Sequence, residues 1–156
     1  MPLIVWTDQM SVGVKLLDND HKRLVLLINQ LHDGLVSGRA KPEIESIFEE
    51  LVIFARVHHA QEEQLLSETG YPSLEAHRHE HDQMTGKLIE LQMRFANTTQ
   101  LAIELEILQG LREWLFRHIK GSDHGFISHL RESDVNVILA TRKTLDGLGR
   151  DIRQII

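Results

Sequence analysis

No cysteine occurs in this chain of 156 residues, so there is no disulfide framework, no thiolate-bound metal and no iron–sulfur cluster. Any metal chemistry must use nitrogen and oxygen donors. Proline is scarce, at positions 2, 42 and 72 only, which permits long helices between those points. Aromatic residues make up 5% of the chain against 42% hydrophobic residues overall, the balance of a Leu- and Ile-rich helical protein. No run approaches the roughly 18 apolar residues of a membrane span. Met1 to Trp6 lacks the charged start and long apolar stretch of a secretory signal. We therefore expect no membrane partner and a cytoplasmic location. Basic residues are outnumbered as well, and a net charge of −6 argues against nucleic acid, which needs a clustered basic face.

What the chain does have is helical period. Residues 1–17 read as an irregular arm containing Trp6 and Gly13. Asp18 is a plausible N-cap, after which His21, Leu24, Ile28, Leu31 and Leu35 follow one face until Gly38. Pro42 suits the first position of a second helix, whose stripe is Ile44, Ile47, Leu51, Phe54, His58, Glu62 and Leu65. Gly70-Tyr71-Pro72 closes it. Ser73 then caps a third, with Leu74, His77, His81, Met84, Leu88, Leu91 and Phe95 on one side, and Asn97-Thr98-Thr99 makes a turn. The fourth stripe is Leu101, Leu105, Leu108, Leu111, Leu115 and His118, ending near Gly121. Short connections force neighbouring helices antiparallel, so the pattern predicts an all-α, up-down-up-down four-helix bundle. One domain is expected over residues 1–132, comprising the arm (1–17) and the bundle (18–132). Ile138, Leu145 and Ile152 repeat at seven and predict an extra C-terminal helix within 133–156, weakened by Gly147 and Gly149.

The inward faces of these stripes carry five histidines and two acids: His21, His58 with Glu62, His77 with His81, and His118 with Asp123. Residues i and i+4 lie about 40° apart on a helix, one turn apart in height, so each pair at that spacing presents two donors to one centre. His118 and Asp123 are five apart, roughly 140° around a straight helix. They meet only if the helix tightens or ends between them, and Gly121 sits where that break is needed. Antiparallel order brings all four groups to one end of the bundle. If Glu62 and Asp123 each bridge two metals, with a solvent oxygen as third bridge, the five imidazoles divide three and two. One metal is then six-coordinate and its neighbour five-coordinate, leaving a single position for a small ligand. Zinc favours smaller tetrahedral sets; two octahedral-type ions suit this one, and iron gives it a reason to bind O₂. Leaving such a set buried and unliganded costs on the order of 1–3 kcal/mol per uncompensated group. The remaining histidines, His32, His59, His79, His124 and His129, fall off the stripes or beside a ligand, and are expected to be solvated.

At these residues the chain resembles the hemerythrin family, particularly its bacterial members. The resemblance runs from Trp6 to about Leu130 and rests on Trp6…Gly13…Asp18-x-x-His21, His58-x-x-x-Glu62-Glu63, Tyr71-Pro72-x-x-x-x-His77-x-x-x-His81 and Trp114-Leu115-x-x-His118-Ile119-x-x-x-Asp123. It implies that His77, His81 and His118 bind one non-haem iron and His21 and His58 another, with Glu62, Asp123 and an oxo or hydroxo group bridging. It further implies that O₂ binds reversibly at the five-coordinate iron, in a pocket where Trp114 and Phe116 join Leu24, the apolar neighbour of His21 on its stripe. Two positions depart from the family pattern: His59, often aromatic there, and Asp20, where Gln is common.

The leading expectation is a non-enzymatic O₂ carrier, store or delivery protein. Since family members also occur joined to chemoreceptors and nucleotide cyclases, the alternative is an O₂ or redox sensor whose C-terminal helix self-associates or contacts an output domain. A di-iron enzyme handling peroxide, nitric oxide or ferrous iron is disfavoured by five histidines against two acids, because neutral donors stabilise high-valent iron less.

Overall fold

Backbone punctuation sets the helix boundaries. The structure, a computed structural model, describes residues 1–97 and 101–133. Four long helices, α1 (Lys15–Ser37), α2 (Lys41–Glu68), α3 (Leu74–Asn97) and α4 (Leu101–His118), are followed by a π-helical turn, Ile119–Asp123, and a short α5, Ile127–Glu132. A 3-10 turn, Asp8–Met10, interrupts the arm. Gly38 ends α1 in the left-handed region, at φ 67°, which a residue without a Cβ enters without strain. The Arg39 N–H then returns to the Gly34 carbonyl at 3.0 Å, satisfying one of the orphan acceptors at the helix end.

Three boundary expectations change. Helix α1 begins at Lys15, ahead of Asp18, and Asp18 holds the arm instead of capping the helix. Its carboxylate accepts the Val12 N–H at 2.7 Å and the Ser11 hydroxyl at 2.6 Å. Pro42 is the second residue of α2, not the first. The segment after His118 neither tightens nor ends; it widens into the π turn. The extra helix expected over 133–156 and the turn residues Thr98 and Thr99 lie outside the described residues, except for Ser133, whose extended backbone ends α5.

Helix α1 packs against α2 and α4, and α3 packs against the same two, closing a four-helix bundle. The expected stripes point inward, with shifts in azimuth: on α2 the buried arc includes Phe48, Val52 and Ala55, while Ile47 and Phe54 are only partly covered. The arm is docked, not loose. Ile4 exchanges two hydrogen bonds of 2.8 Å with the Asn29 side-chain amide, and Met10 and Val12 are buried.

The apolar interior is in two pieces. The larger fills most of the bundle and includes Leu24, Ile28, Phe48, Ala55, Met84, Leu115 and Ile119. The smaller closes one end with Val12, Leu17, Leu65, Leu66, Phe126 and Leu130. Along the chain the polar candidates fall between these pieces: His21 between Leu17 and Leu24, Glu62 between Ala55 and Leu65, Asp123 between Ile119 and Phe126. A polar layer thus lies across the bundle, sealed by hydrocarbon on both sides.

Candidate metal centre

Four elements contribute to the layer together with the π turn, and all seven expected residues meet in it. His21 comes from α1, His58 and Glu62 from α2, His77 and His81 from α3, His118 from the end of α4 and Asp123 from the π turn. Each is buried, and Glu62 and Asp123 have no exposed surface. The i, i+4 pairs converge as helical geometry requires. Asp123 arrives because the i→i+5 winding of a π turn brings a residue five positions on back under its starting point. Its Oδ1 lies 2.8 Å from His118 Nε2. Gly121 is not the reason for this. Its φ is not positive, and a Cβ added there would meet nothing within 4 Å.

The two carboxylates divide their oxygens between two groups of histidines. Glu62 Oε1 lies 2.5 Å from His77 Nε2 and 3.2 Å from His81 Nε2. Its Oε2 lies 3.7 Å from His21 Nε2 and 3.8 Å from His58 Nε2. Asp123 repeats the pattern: Oδ1 faces His118 and, at 3.4 Å, His77, while Oδ2 faces His21 at 3.2 Å. Donor atoms from Glu62, His77, His81, His118 and Asp123 all lie within 4.8 Å of one another, as do those from His21, His58 and Glu62. The packing thus gathers His77, His81 and His118 about Glu62 Oε1 and Asp123 Oδ1, and sets His21 and His58 nearer the other carboxylate oxygens.

Outside the layer, carboxylates hold three of the rings. Each accepts from the outer Nδ1 and leaves Nε2 directed inward: Glu63 from His81 at 2.7 Å, Glu80 from His118 at 2.7 Å, and Asp20 from His58 at 3.3 Å. Of these, Glu80 had no part in the sequence reading. Its signal was its place directly before His81 and three residues after His77, on the helix that carries both.

The acids and histidines of the layer shift one another's ionisation, the acids downward and His21, His81 and His118 upward. Burial opposes ionisation of Glu62, yet His77 and His81 beside it hold its carboxyl well below the usual range. Asp123 is also lowered, against burial and the repulsion of Glu62, by His118 and His21. Burial likewise disfavours protonation of His81, but Glu62 and Glu63 raise its pKa to about 9. Two buried carboxylates thus demand positive charge between them. Despite these close approaches, several inward atoms find no partner in hydrogen-bonding geometry among the described residues: His21 Nε2, Glu62 Oε2, His81 Nε2 and both Asp123 oxygens. Unsatisfied buried atoms are rare in folded proteins. Converging here, on nitrogen and oxygen only, they fit an iron-binding site.

Other expectations need correction. His59 is not solvated. It is buried and stacks on His81, with ring centroids 3.9 Å apart and planes 6° from parallel. Burial, with His81 and His58 adding to it, pushes its pKa far down, so the ring is neutral. His32, His124 and His129 are partly buried, and His129 pairs with Thr69 at 3.0 Å; His79 alone of the five is exposed. Leu24 is buried within a turn of His21. Trp114 lies flat on His118, 4.8 Å between centroids, on the three-histidine side. Phe116 is 39% exposed, beneath the Lys120 ammonium, because two helical positions separate it from inward-facing His118 by about 200°. It does not line the layer.

Comparison with known proteins extends these observations. Residues 12–130 match the family model of the hemerythrin HHE cation binding domain. A bacteriohemerythrin of Pseudomonas aeruginosa (strain LESB58) is 36% identical over 133 residues, 85% of each chain. A bacteriohemerythrin of Stenotrophomonas maltophilia (strain R551-3) is 29% identical over 154 residues, 99% of this chain and 98% of that one. Among solved structures, a wild-type hemerythrin superposes with TM-score 0.72 at 28% identity, over 82% of this chain and 98% of that chain. Among the described residues, no helix is long and apolar enough to cross a membrane.

Proposed function

The chain belongs to the hemerythrin family, and from that premise we propose that it binds O₂ reversibly at a pair of non-haem irons, as a carrier or store and not as an enzyme. The observation that carries this is the division of Glu62 and Asp123 oxygens between three histidines on one side and two on the other. In this reading His77, His81 and His118 would hold one iron and His21 and His58 the other, with Glu62 and Asp123 shared between the two groups. When bound, a ferrous pair supplies the electrons that reversible O₂ binding draws on and recovers.

The chain's own residues do the rest. Glu63, Glu80 and Asp20 orient the ring nitrogens of His81, His118 and His58. Leu24 and Leu115, both buried, exclude water from the inner side of the layer. Phe126, fully buried with its ring edge-on to His77 at 5.5 Å, closes the outer side. Water-free surroundings favour release of O₂ as O₂, because proton delivery would instead drive the centre to its oxidised state. The two-histidine side, with fewer protein donors, is where the small ligand enters. The match to the Stenotrophomonas maltophilia relative runs nearly the length of this chain, its tail included.

Ferrous iron titrated anaerobically into the metal-free chain, followed by air and then by deoxygenation, tests the reading. Uptake of two irons per chain and a visible absorption band that appears with O₂ and disappears on its removal is the expected result. One metal per chain, preferential zinc uptake, or oxidation that deoxygenation does not reverse would overturn it.

A further inference from the structure

Glu80 reaches two places at once. One carboxylate oxygen accepts from His118 Nδ1 at 2.7 Å, and both lie 2.6 Å from the Ser122 hydroxyl. His118 is the last α-helical residue of α4, and Ser122 lies inside the π turn immediately before Asp123. A side chain of α3 thus grips both the point where the wide turn begins and the point where it delivers its acid.

The π turn needs such a grip. Nothing local in Ile119-Lys120-Gly121-Ser122-Asp123 requires it: no proline interrupts it and Gly121 takes no glycine-only conformation. π turns are rare within α-helices, and those that occur cluster at functional sites. Had α4 continued as α-helix, Asp123 would sit roughly 140° from the face that holds His118. Ser122 would instead lie about 40° from that face, taking the inward place Asp123 now fills. Glu80 is itself mostly covered, with 37% of its side chain exposed, so its bonds to His118 and Ser122 are only partly open to competing water.

We propose that Glu80 and Ser122 form a positioning clamp that selects the π turn over continued α-helix and thereby places Asp123 between the two histidine groups. Glu80 does this by bonding across from α3, so the register of the α4 end is fixed by a neighbouring helix and not by its own sequence. The clamp is a property of the protein chain. Its consequence for the irons rests on the di-iron reading above.

Ser122→Ala removes one hydroxyl and leaves Glu80 and His118 in place; Ser122→Thr restores the hydroxyl. Amide hydrogen exchange and metal content are measured on the full chain as purified, beside the exposed-serine control Ser128→Ala. A hydrogen bond to a carboxylate is worth enough to change local opening by about ten-fold or more. The expected result is that amides of residues 119–126 exchange about ten-fold faster in Ser122→Ala, with α1 and α2 unchanged, and that Ser122→Thr reverses most of this. In samples with equal iron content, the charge-transfer bands of the ferric protein should shift in Ser122→Ala and return in Ser122→Thr, which loss of general stability would not produce. Unchanged exchange at 119–126, equal acceleration throughout the bundle, or unshifted bands would overturn the clamp. If the wild-type chain holds no iron pair, the di-iron reading fails while the exchange pattern still decides the clamp.

Discussion

On the three-histidine side of the polar layer, His81 and His118 each donate from Nδ1 to a carboxylate at 2.7 Å, and Trp114 and His59 lie flat against their rings. On the two-histidine side, His58 meets Asp20 at 3.3 Å and the outer nitrogen of His21 has no hydrogen-bond partner among the described residues. His77 shares that lack but is wedged between Phe126 and two other rings. One half of the layer is braced by short carboxylate contacts and stacking, the other by the longer Asp20 contact and the edge-on packing of His21 against His58. On the proposed reading, the more tightly braced half would anchor a metal and the other would accept and release a small molecule.

The largest effect should come from removing what both halves share. Glu62→Gln or Asp123→Asn is expected to cut iron content from two per chain towards none by elemental analysis, since a lost bridge weakens both positions. His79→Ala, an exposed position, should stay near two. Equal retention in all three variants would mean the halves do not share these acids.

Next in size is the contrast between outer carboxylates. Loss of such a partner typically lowers metal affinity by about 10–100-fold. Glu63→Ala should fall in that range when a chelator competes for iron, and Asp20→Ala well below it, given the longer contact to His58. A reversed order would invert the assignment of anchor and exchange sides.

Leu24→Ala sharpens the comparison from the apolar side. It should lower stability by about 2–5 kcal/mol in denaturant unfolding and shorten the lifetime of the O₂-bound form, with two irons retained. Phe116→Ala should leave that lifetime unchanged, and a loss equal to that in Leu24→Ala would return Phe116 to the pocket. The smallest effect is expected from Gly121→Ala, with unaltered iron content and a gain in stability of about 0.4–1 kcal/mol from lost chain entropy; a fall in iron content would show that the π turn needs its glycine.

Much of this architecture was legible in the order of residues. The bundle and the two donor pairs at i, i+4, His58 with Glu62 and His77 with His81, follow from one period, which the chain keeps for several turns at a time. Other features were hidden for physical reasons. The approach of Asp123 depends on a change in helical winding that a neighbouring helix stabilises, and five-residue spacing on an ideal helix reads as divergence. His59 lies next to His58 and about 100° from it, so a narrow stripe excludes it; the arc that α2 buries between α1 and α3 is wide enough for both. Phe116 came from resemblance alone, and its helical position points it at solvent. Asp18 looked like a cap because acids favour helix starts, but the preceding Ser11 and Val12 claim its oxygens first.

A polar layer between two hydrocarbon pieces divides the bundle into zones of unequal cooperativity. The larger piece spans all four long helices and needs no ion to hold together. The smaller piece, with the last residues of the arm and α5, meets it across the polar layer. Iron then acts on the chain by mass action: an ion that binds only the closed state stabilises it in proportion to the logarithm of its concentration over Kd. Scarcity of iron should therefore be felt as fraying from one end, with residues 12–17 and 123–132 opening while the far half of the bundle stays folded.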